Sequence, residues 1–193
     1  FDVRKGIMFL GGFAHPPNID AVHWFVKEIF PKIKQQLPEV RFFIVGSDPP
    51  NEITTLKSAD IIVTGYVKDL QPYFEACRVF VAPLRYGAGV KGKIGEAMAH
   101  GLPVVTTSIG AEGMGLVDGE NALIADDPIE FAEKVIKLYT DRELWEKLSK
   151  NSIKHIQHNF SYDVAKRKIQ EIIAALEPKT ISITGLKELW YGH

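Results

Sequence analysis

Six short apolar runs alternate along the chain with longer stretches in which apolar residues recur every three or four positions. The runs are "GIMFLG" (6–11), "VRFFIVG" (40–46), "DIIVTG" (60–65), "RVFVAPL" (78–84), "LPVVTT" (102–107) and "NALIA" (121–125). Most are β-branched or aromatic and apolar on both faces, the pattern of strands buried between two helical layers. Between the first two runs, residues 18–37 place Ile19, Val22, Phe25, Val26, Ile29, Phe30, Ile33 and Leu37 at helical spacing. Asn18 reads as the N-cap of that helix, and Pro31 predicts a kink or break within it. Further helices are predicted over 69–77, 93–100, 128–139, 141–158 and 161–176, with Gly101 and Pro103 stopping the one that ends in "EAMAH".

Strand–helix alternation with right-handed crossovers predicts an α/β fold: a three-layer, Rossmann-like, doubly wound parallel sheet of about six strands flanked by helices. The last helices have no strand between them and are expected to pack across the sheet edge. Residues 1–176 form the domain. The tail "EPKTISITGLKELWYGH" (177–193) reads either as a short strand and turn or as a segment that needs a partner. In such a sheet, ligands bind beyond the carboxyl ends of the strands where the strand order reverses. For the order 3-2-1-4-5-6, strands 1 and 4 meet at that switch, bringing together "GGFAHPPN" (11–18) and "RYGAGVKGK" (85–93).

Charge and composition narrow the classes. A formal net charge of −1 gives no global basic field for nucleic acid. A single cysteine, Cys77, allows no internal disulfide and fits a reducing, cytoplasmic setting. No apolar run approaches the roughly 20 residues of a membrane span. The chain begins at Phe1 rather than methionine, as expected of a piece of a longer protein.

The stretch "RYGAGVKGKIGEAMAHGLPVV" (85–105) carries the most chemistry. Glycines let a backbone approach a ligand closely, and a helix start offers unpaired N–H groups to an anion. Lys91 and Lys93 add positive charge, so the loop suits a phosphate or diphosphate; the alternative is a plain turn with solvated lysines. Glu96, one turn into the helix, suits vicinal hydroxyls of a ribose or sugar, or else pairs with the helix dipole and Lys93. His15 is a candidate for the same ligand, or polar surface. "ADDP" (125–128) reads as a turn and helix cap rather than a metal site.

Residues 83–114, "PLRYGAGVKGKIGEAMAHGLPVVTTSIGAEGM", with "DGENALIADDP" (118–128), resemble the C-terminal domain of retaining glycosyltransferases of the GT-B type, group 1 or family 4. The resemblance runs over roughly residues 5–176. It implies a donor-binding half for a nucleoside diphosphate sugar, with an N-terminal acceptor-binding domain outside this chain. Any contact with the cytoplasmic membrane face would be made by that other half. The family has two glutamates eight positions apart; Glu96 matches the second, which contacts the donor ribose. The first, which contacts the transferred sugar, falls at Ala88, leaving sugar recognition to backbone N–H groups of Ala88, Gly89 and Val90 beside Gly87. The Arg and Lys that the family often places after strand 1 are missing from "GGFAHPP". Lys93 first, then Lys91, are the candidates to supply that charge and to stabilise the leaving diphosphate. Gly12, Phe13 and His15 are placed around the donor. Tyr66 and Val67 are placed at the base edge, with Tyr66 either stacking on the base or simply packing. Gly110 is placed at the border of the cleft. The resemblance implies no metal and no cofactor beyond the donor itself.

Rival readings remain at this level. A dehydrogenase is disfavoured, because the first strand runs into "GGFAHPP" instead of G-x-G-x-x-G. A sugar-nucleotide epimerase of similar build shares the diphosphate site. A non-catalytic nucleotide-binding module accounts for the missing glutamate and basic pair.

Overall fold

The computed structural model describes residues 1–176. Six strands form one parallel sheet in the order β3-β2-β1-β4-β5-β6. They are β1 (Ile7–Leu10), β2 (Phe42–Val45), β3 (Ile61–Gly65), β4 (Val79–Ala82), β5 (Val104–Thr106) and β6 (Leu123–Ile124). Ile7 of β1 is in register with Phe42 on one side and Val79 on the other, so the chain reverses its direction of winding at β1 and β4. All six predicted strands form, in the predicted order.

Both faces of the sheet are covered, and the alternation along single strands shows it. Ile7 and Phe9, with Val79 and Val81, enter one core cluster; Met8, with Phe80 and Ala82, enters the other. A strand that buries successive residues on opposite faces has no polar face, which is why period-two alternation is missing from these runs. Phe25 lies at the centre of the first cluster, fully buried against Phe30, Phe42 and Phe131.

The long first helix starts earlier than expected and is interrupted near Pro31. It opens as α1 (Pro16–Trp24), with His15 as the N-cap residue and prolines in the first helical positions. Proline is pre-organised for a helix start and lacks only an N–H that would be unpaired there. The "PP" pair therefore outweighs Asn18 as a start signal, and Asn18 lies inside the first turn. The helical pattern changes immediately before Pro31. Residues Phe25–Ile29 form a π-helical turn before α2 (Phe30–Gln36), which takes Pro31 into its first turn. That turn keeps Phe25 and Ile29 buried.

The remaining helices are α3 (Asn51–Thr54), α4 (Gln71–Ala76), α5 (Gly92–Ala99), α6 (Ser108–Ala111), α7 (Pro128–Thr140), α8 (Arg142–Asn159) and α9 (Tyr162–Leu176). The four-residue α3 and α6 are too short to leave a periodic trace in sequence. Asp127 caps α7 as "ADDP" predicted, accepting from the N–H groups of Ile129 and Glu130. Asp127→Ala is expected to lower stability by about 1 kcal/mol in urea unfolding, with the m-value unchanged.

Helix α8 bonds to the segments that enter β4, β5 and β6. Trp145 Nε1 donates to the Arg78 carbonyl (2.7 Å), Ser149 to that of Gly101 (2.7 Å) and Ser152 to that of Asn121 (3.0 Å). Those segments lie at the amino ends of the strands, so α8 leaves the carboxyl ends open. The chain divides into two compact units, Phe1–Gln157 and a second that begins at His158 and contains α9. The tail reading falls on residues 177–193, outside the described residues. No described helix is long and apolar enough to cross a membrane.

Candidate functional site

A cleft of about 590 Å³ opens at the carboxyl ends of the central strands. Its walls are the connections that follow β1, β2, β3 and β4, together with the start of α5. The two loops singled out in sequence meet here: Gly12 and His15 from one, Gly87, Ala88 and Val90 from the other. Tyr66 and Val67 line it after β3, and Lys91, Lys93 and Glu96 after β4.

Close backbone approach forms the floor. The Gly11 N–H donates to Val45 O (3.0 Å), and the Phe13 N–H donates to Ser47 O (3.1 Å). These bonds hold the loop after β1 against the exit of β2. The loop after β4 bends through Gly87 (φ 126°) and Gly89 (φ 81°), conformations that a side chain rarely adopts. Both glycines therefore have a backbone reason to be there.

The two lysines differ in role. Lys91 is the N-cap residue of α5 and is buried, with Nζ donating to the Gly89 carbonyl at 2.6 Å. Its charge closes the loop on itself. Lys93 reaches across to the loop after β1. Its Nζ donates to Asn18 Oδ1 and lies 5.1 Å from the centre of the Phe9 ring. Burial, and secondarily the charge of Lys91, push the Lys93 ammonium down to a pKa of about 8. The first two N–H groups of α5, those of Gly92 and Lys93, have no acceptor within the helix and belong to residues that line the same cleft, whereas those of Ile94 and Gly95 bond to the Lys91 carbonyl.

Glu96 stands exposed on the first turns of α5 and is the one acidic side chain that lines the cleft among the described residues. Tyr66 is 77% exposed at the rim, so packing does not hold it there. His15 is exposed, and its side chain makes no capping bond.

Two expected residues, Phe13 and Gly110, are placed differently. Phe13 is 4% exposed and turns its ring into the core against Phe9, because an aromatic ring is more stable there than in a wet cleft. Only its backbone belongs to the loop. Gly110 does not line the cleft. Asp126 accepts from the Ser108 N–H (2.8 Å) and hydroxyl (2.6 Å), and Thr107 accepts from the Gly110 N–H (3.1 Å), which coils this segment into α6. Gly89 lies between the lining residues Ala88 and Val90, and its carbonyl is taken by Lys91.

Sequence reasoning missed Asn18 and the pair Asp20–Arg85. Asn18 is 5% exposed, and its Nδ2 donates to the Gly12 carbonyl at 2.7 Å. Arg85 makes a two-point ion pair with Asp20, one bond of it 2.9 Å, and lies over Trp24. The signal for Asn18 was the preceding proline pair, which moves the helix start back and turns a cap into an interior residue. Nothing in sequence spacing links Asp20 to Arg85.

An open parallel sheet with a cleft at its switch point is a doubly wound, Rossmann-like fold, and it matches one half of the GT-B fold in the solved structures compared below. Residues 4–141 match the family model described as Glycosyl transferases group 1, and the chain belongs to that family. It is 29% identical over 170 residues to an uncharacterised 44.6 kDa protein of the cps region of Klebsiella pneumoniae, covering 83% of this chain and 44% of that protein. It is 28% identical over 166 residues to the putative glycosyltransferase YtcC of Bacillus subtilis, covering 77% and 41%. The chain thus spans less than half the length of these curated relatives. Among solved structures, HepE of Anabaena, determined in complex with UDP-glucose, superposes with a TM-score of 0.73 at 18% identity, over 89% of this chain and 49% of HepE. The C-terminal domain of LpcC from Francisella tularensis superposes with a TM-score of 0.68 at 18% identity, over 83% of this chain and 89% of that domain.

Proposed function

We propose that this chain is the donor-binding half of a glycosyltransferase that moves a sugar from a nucleoside diphosphate sugar to an acceptor hydroxyl with retention of configuration. The observation that carries the reading is the convergence of Lys93, the N-terminus of α5 and Glu96 in one cleft at the strand switch. The diphosphate lies against the α5 N–H groups and Lys93, and the ribose hydroxyls bond to Glu96. The base lies by Tyr66 and Val67. The HepE structure, which holds UDP-glucose, supports this class of donor.

The chemical difficulty is departure of a dianionic diphosphate. A cation and aligned N–H donors stabilise the charge that grows as the anomeric C–O bond breaks. The acceptor oxygen forms the new bond on the same face, and its proton passes to the departing phosphate oxygen. The acceptor is held by the other half of the enzyme, so the isolated domain binds donor and transfers nothing.

Calorimetric titration with UDP, GDP, ADP and CDP tests the reading. One diphosphate is expected to bind selectively, and Glu96→Ala is expected to weaken it about tenfold through loss of a charged acceptor. Absence of binding by all four at millimolar concentration counts against a donor site in this chain. A second reading, a nucleotide-binding module without transfer, draws on the cleft wall at 86–90, which presents no acid to a sugar. Turnover by the longer protein separates the two.

A further inference from the structure

The first two turns of α1 touch the segment after β4 at three places. The Asn18 side chain meets Lys93, Asp20 meets Arg85, and the Pro17 ring lies 3.7 Å from where a Cβ on Gly87 would stand. Asn18 differs from the other two. It is buried and uses both ends of its amide: Nδ2 ties down the Gly12 carbonyl, and Oδ1 receives the Lys93 ammonium. The space for this pair is reserved by Gly11. A Cβ there would lie 2.8 Å from Asn18 Cγ and 3.0 Å from Lys93 Nζ.

The loop after β1 carries no lysine or arginine of its own. Its carbonyl-rich backbone nonetheless has a cation beside it, delivered from α5. A lysine is a flexible point charge with three donors, and only one of them is spent on Asn18. The remaining two are free to face the cleft.

We propose that Asn18 is a positioning residue: by accepting from Lys93 while donating to Gly12, it fixes the ammonium at the end of β1, where a diphosphate oxygen is to be met. The role rests on the donor-site reading above. It also makes "PPN" a device for placing a charge that the loop itself lacks. Asn18 lines the same cleft, but its amide is committed to Gly12 and Lys93, so the role assigned to it passes through Lys93.

The test uses the 193-residue chain. Competitive acetylation with acetic anhydride across pH, read residue by residue by mass spectrometry, gives the titration midpoint of Lys93 in wild type, Asn18→Asp and Asn18→Leu. The other titratable groups lining the cleft are His15, Tyr66, Tyr86, Lys91 and Glu96, and all are unchanged in these variants. Asn18→Asp places a carboxylate on the ammonium and is expected to raise the midpoint by about one pH unit or more; Asn18→Leu removes the acceptor and lowers it. UDP affinity supplies the second readout. Asn18→Leu is expected to weaken UDP about tenfold in the wild-type background and less than twofold when Lys93 is already methionine. An unmoved Lys93 midpoint in Asn18→Asp overturns the proposal, as does an equal loss of affinity in both backgrounds. The near-isosteric Asn18→Asp keeps the test decisive if Asn18→Leu fails to fold. If wild type binds no nucleoside diphosphate while the Lys93 midpoint still moves, the donor-site reading falls, the role toward a diphosphate falls with it, and only the Asn18–Lys93 contact is upheld.

Discussion

On the donor-site function proposed above, replacing Lys93 by methionine is expected to slow sugar transfer by the longer protein about 10²–10³-fold, the usual loss when one group that stabilises developing negative charge is removed. Methionine keeps the length and apolar contact of the lysine stem while deleting the charge. Lys91 cannot compensate, because its ammonium is buried against the Gly89 carbonyl. The effect has a pH signature. Lys93 titrates near pH 8 in the free protein, below the ordinary lysine value of 10.5. A bound diphosphate favours the charged form, so affinity is expected to fall as pH rises above about 8 and to lose that dependence in Lys93→Met. Stability of the free protein moves the other way. The unfolded chain holds this proton up to about pH 10.5 and the folded chain releases it near 8, so folding gains stability across that window. Opposite slopes of binding and stability between pH 8 and 10 would single out Lys93. Wild-type turnover in Lys93→Met sinks the assignment.

The sheet was legible in the sequence because its strands are buried on both faces, and that leaves an unbroken apolar run that no surface strand shows. Met8 and Phe9 point to different cores, yet both must be apolar. The cleft was legible at the level of loops, since glycine at positive φ and a helix start leave local marks. Side-chain assignments within the loops were less so. Lys91 and Lys93 are two residues apart and look equivalent in sequence. Only the turn at Gly89 sends one into its own loop and the other across the cleft to Asn18. Phe13 was misplaced because a loop aromatic next to a strand end packs as readily inward as outward, and Phe9 decided the matter. Gly110 was misplaced because Asp126, sixteen positions away, coils the segment.

Two glycines in the floor of the cleft are expected to behave in opposite ways. Gly12→Ala adds a methyl whose nearest neighbour is Ser47 Oγ at 3.5 Å, an ordinary contact, and is expected to change stability by well under 1 kcal/mol. In Gly46→Ala the methyl would stand 1.9 Å from the Gly11 carbonyl oxygen and 2.8 Å from its carbon. No rotamer relieves that contact, because both atoms are backbone. The exits of β1 and β2 lie side by side there, with the Gly11 N–H bonded to Val45 and the Gly46 N–H to Gly65 (3.3 Å). One strand exit must therefore move, at an expected cost of about 3 kcal/mol or more in urea unfolding. The displacement passes on to the next residue, because the Gly12 carbonyl anchors Asn18, and Asn18 holds Lys93. Gly46→Ala should thus lose nucleotide affinity even under conditions where it remains folded, although Gly46 offers no side chain to any ligand. A variant within 1 kcal/mol of wild type, or one that binds nucleotide normally, would show that the strand exits do not set the position of the ammonium.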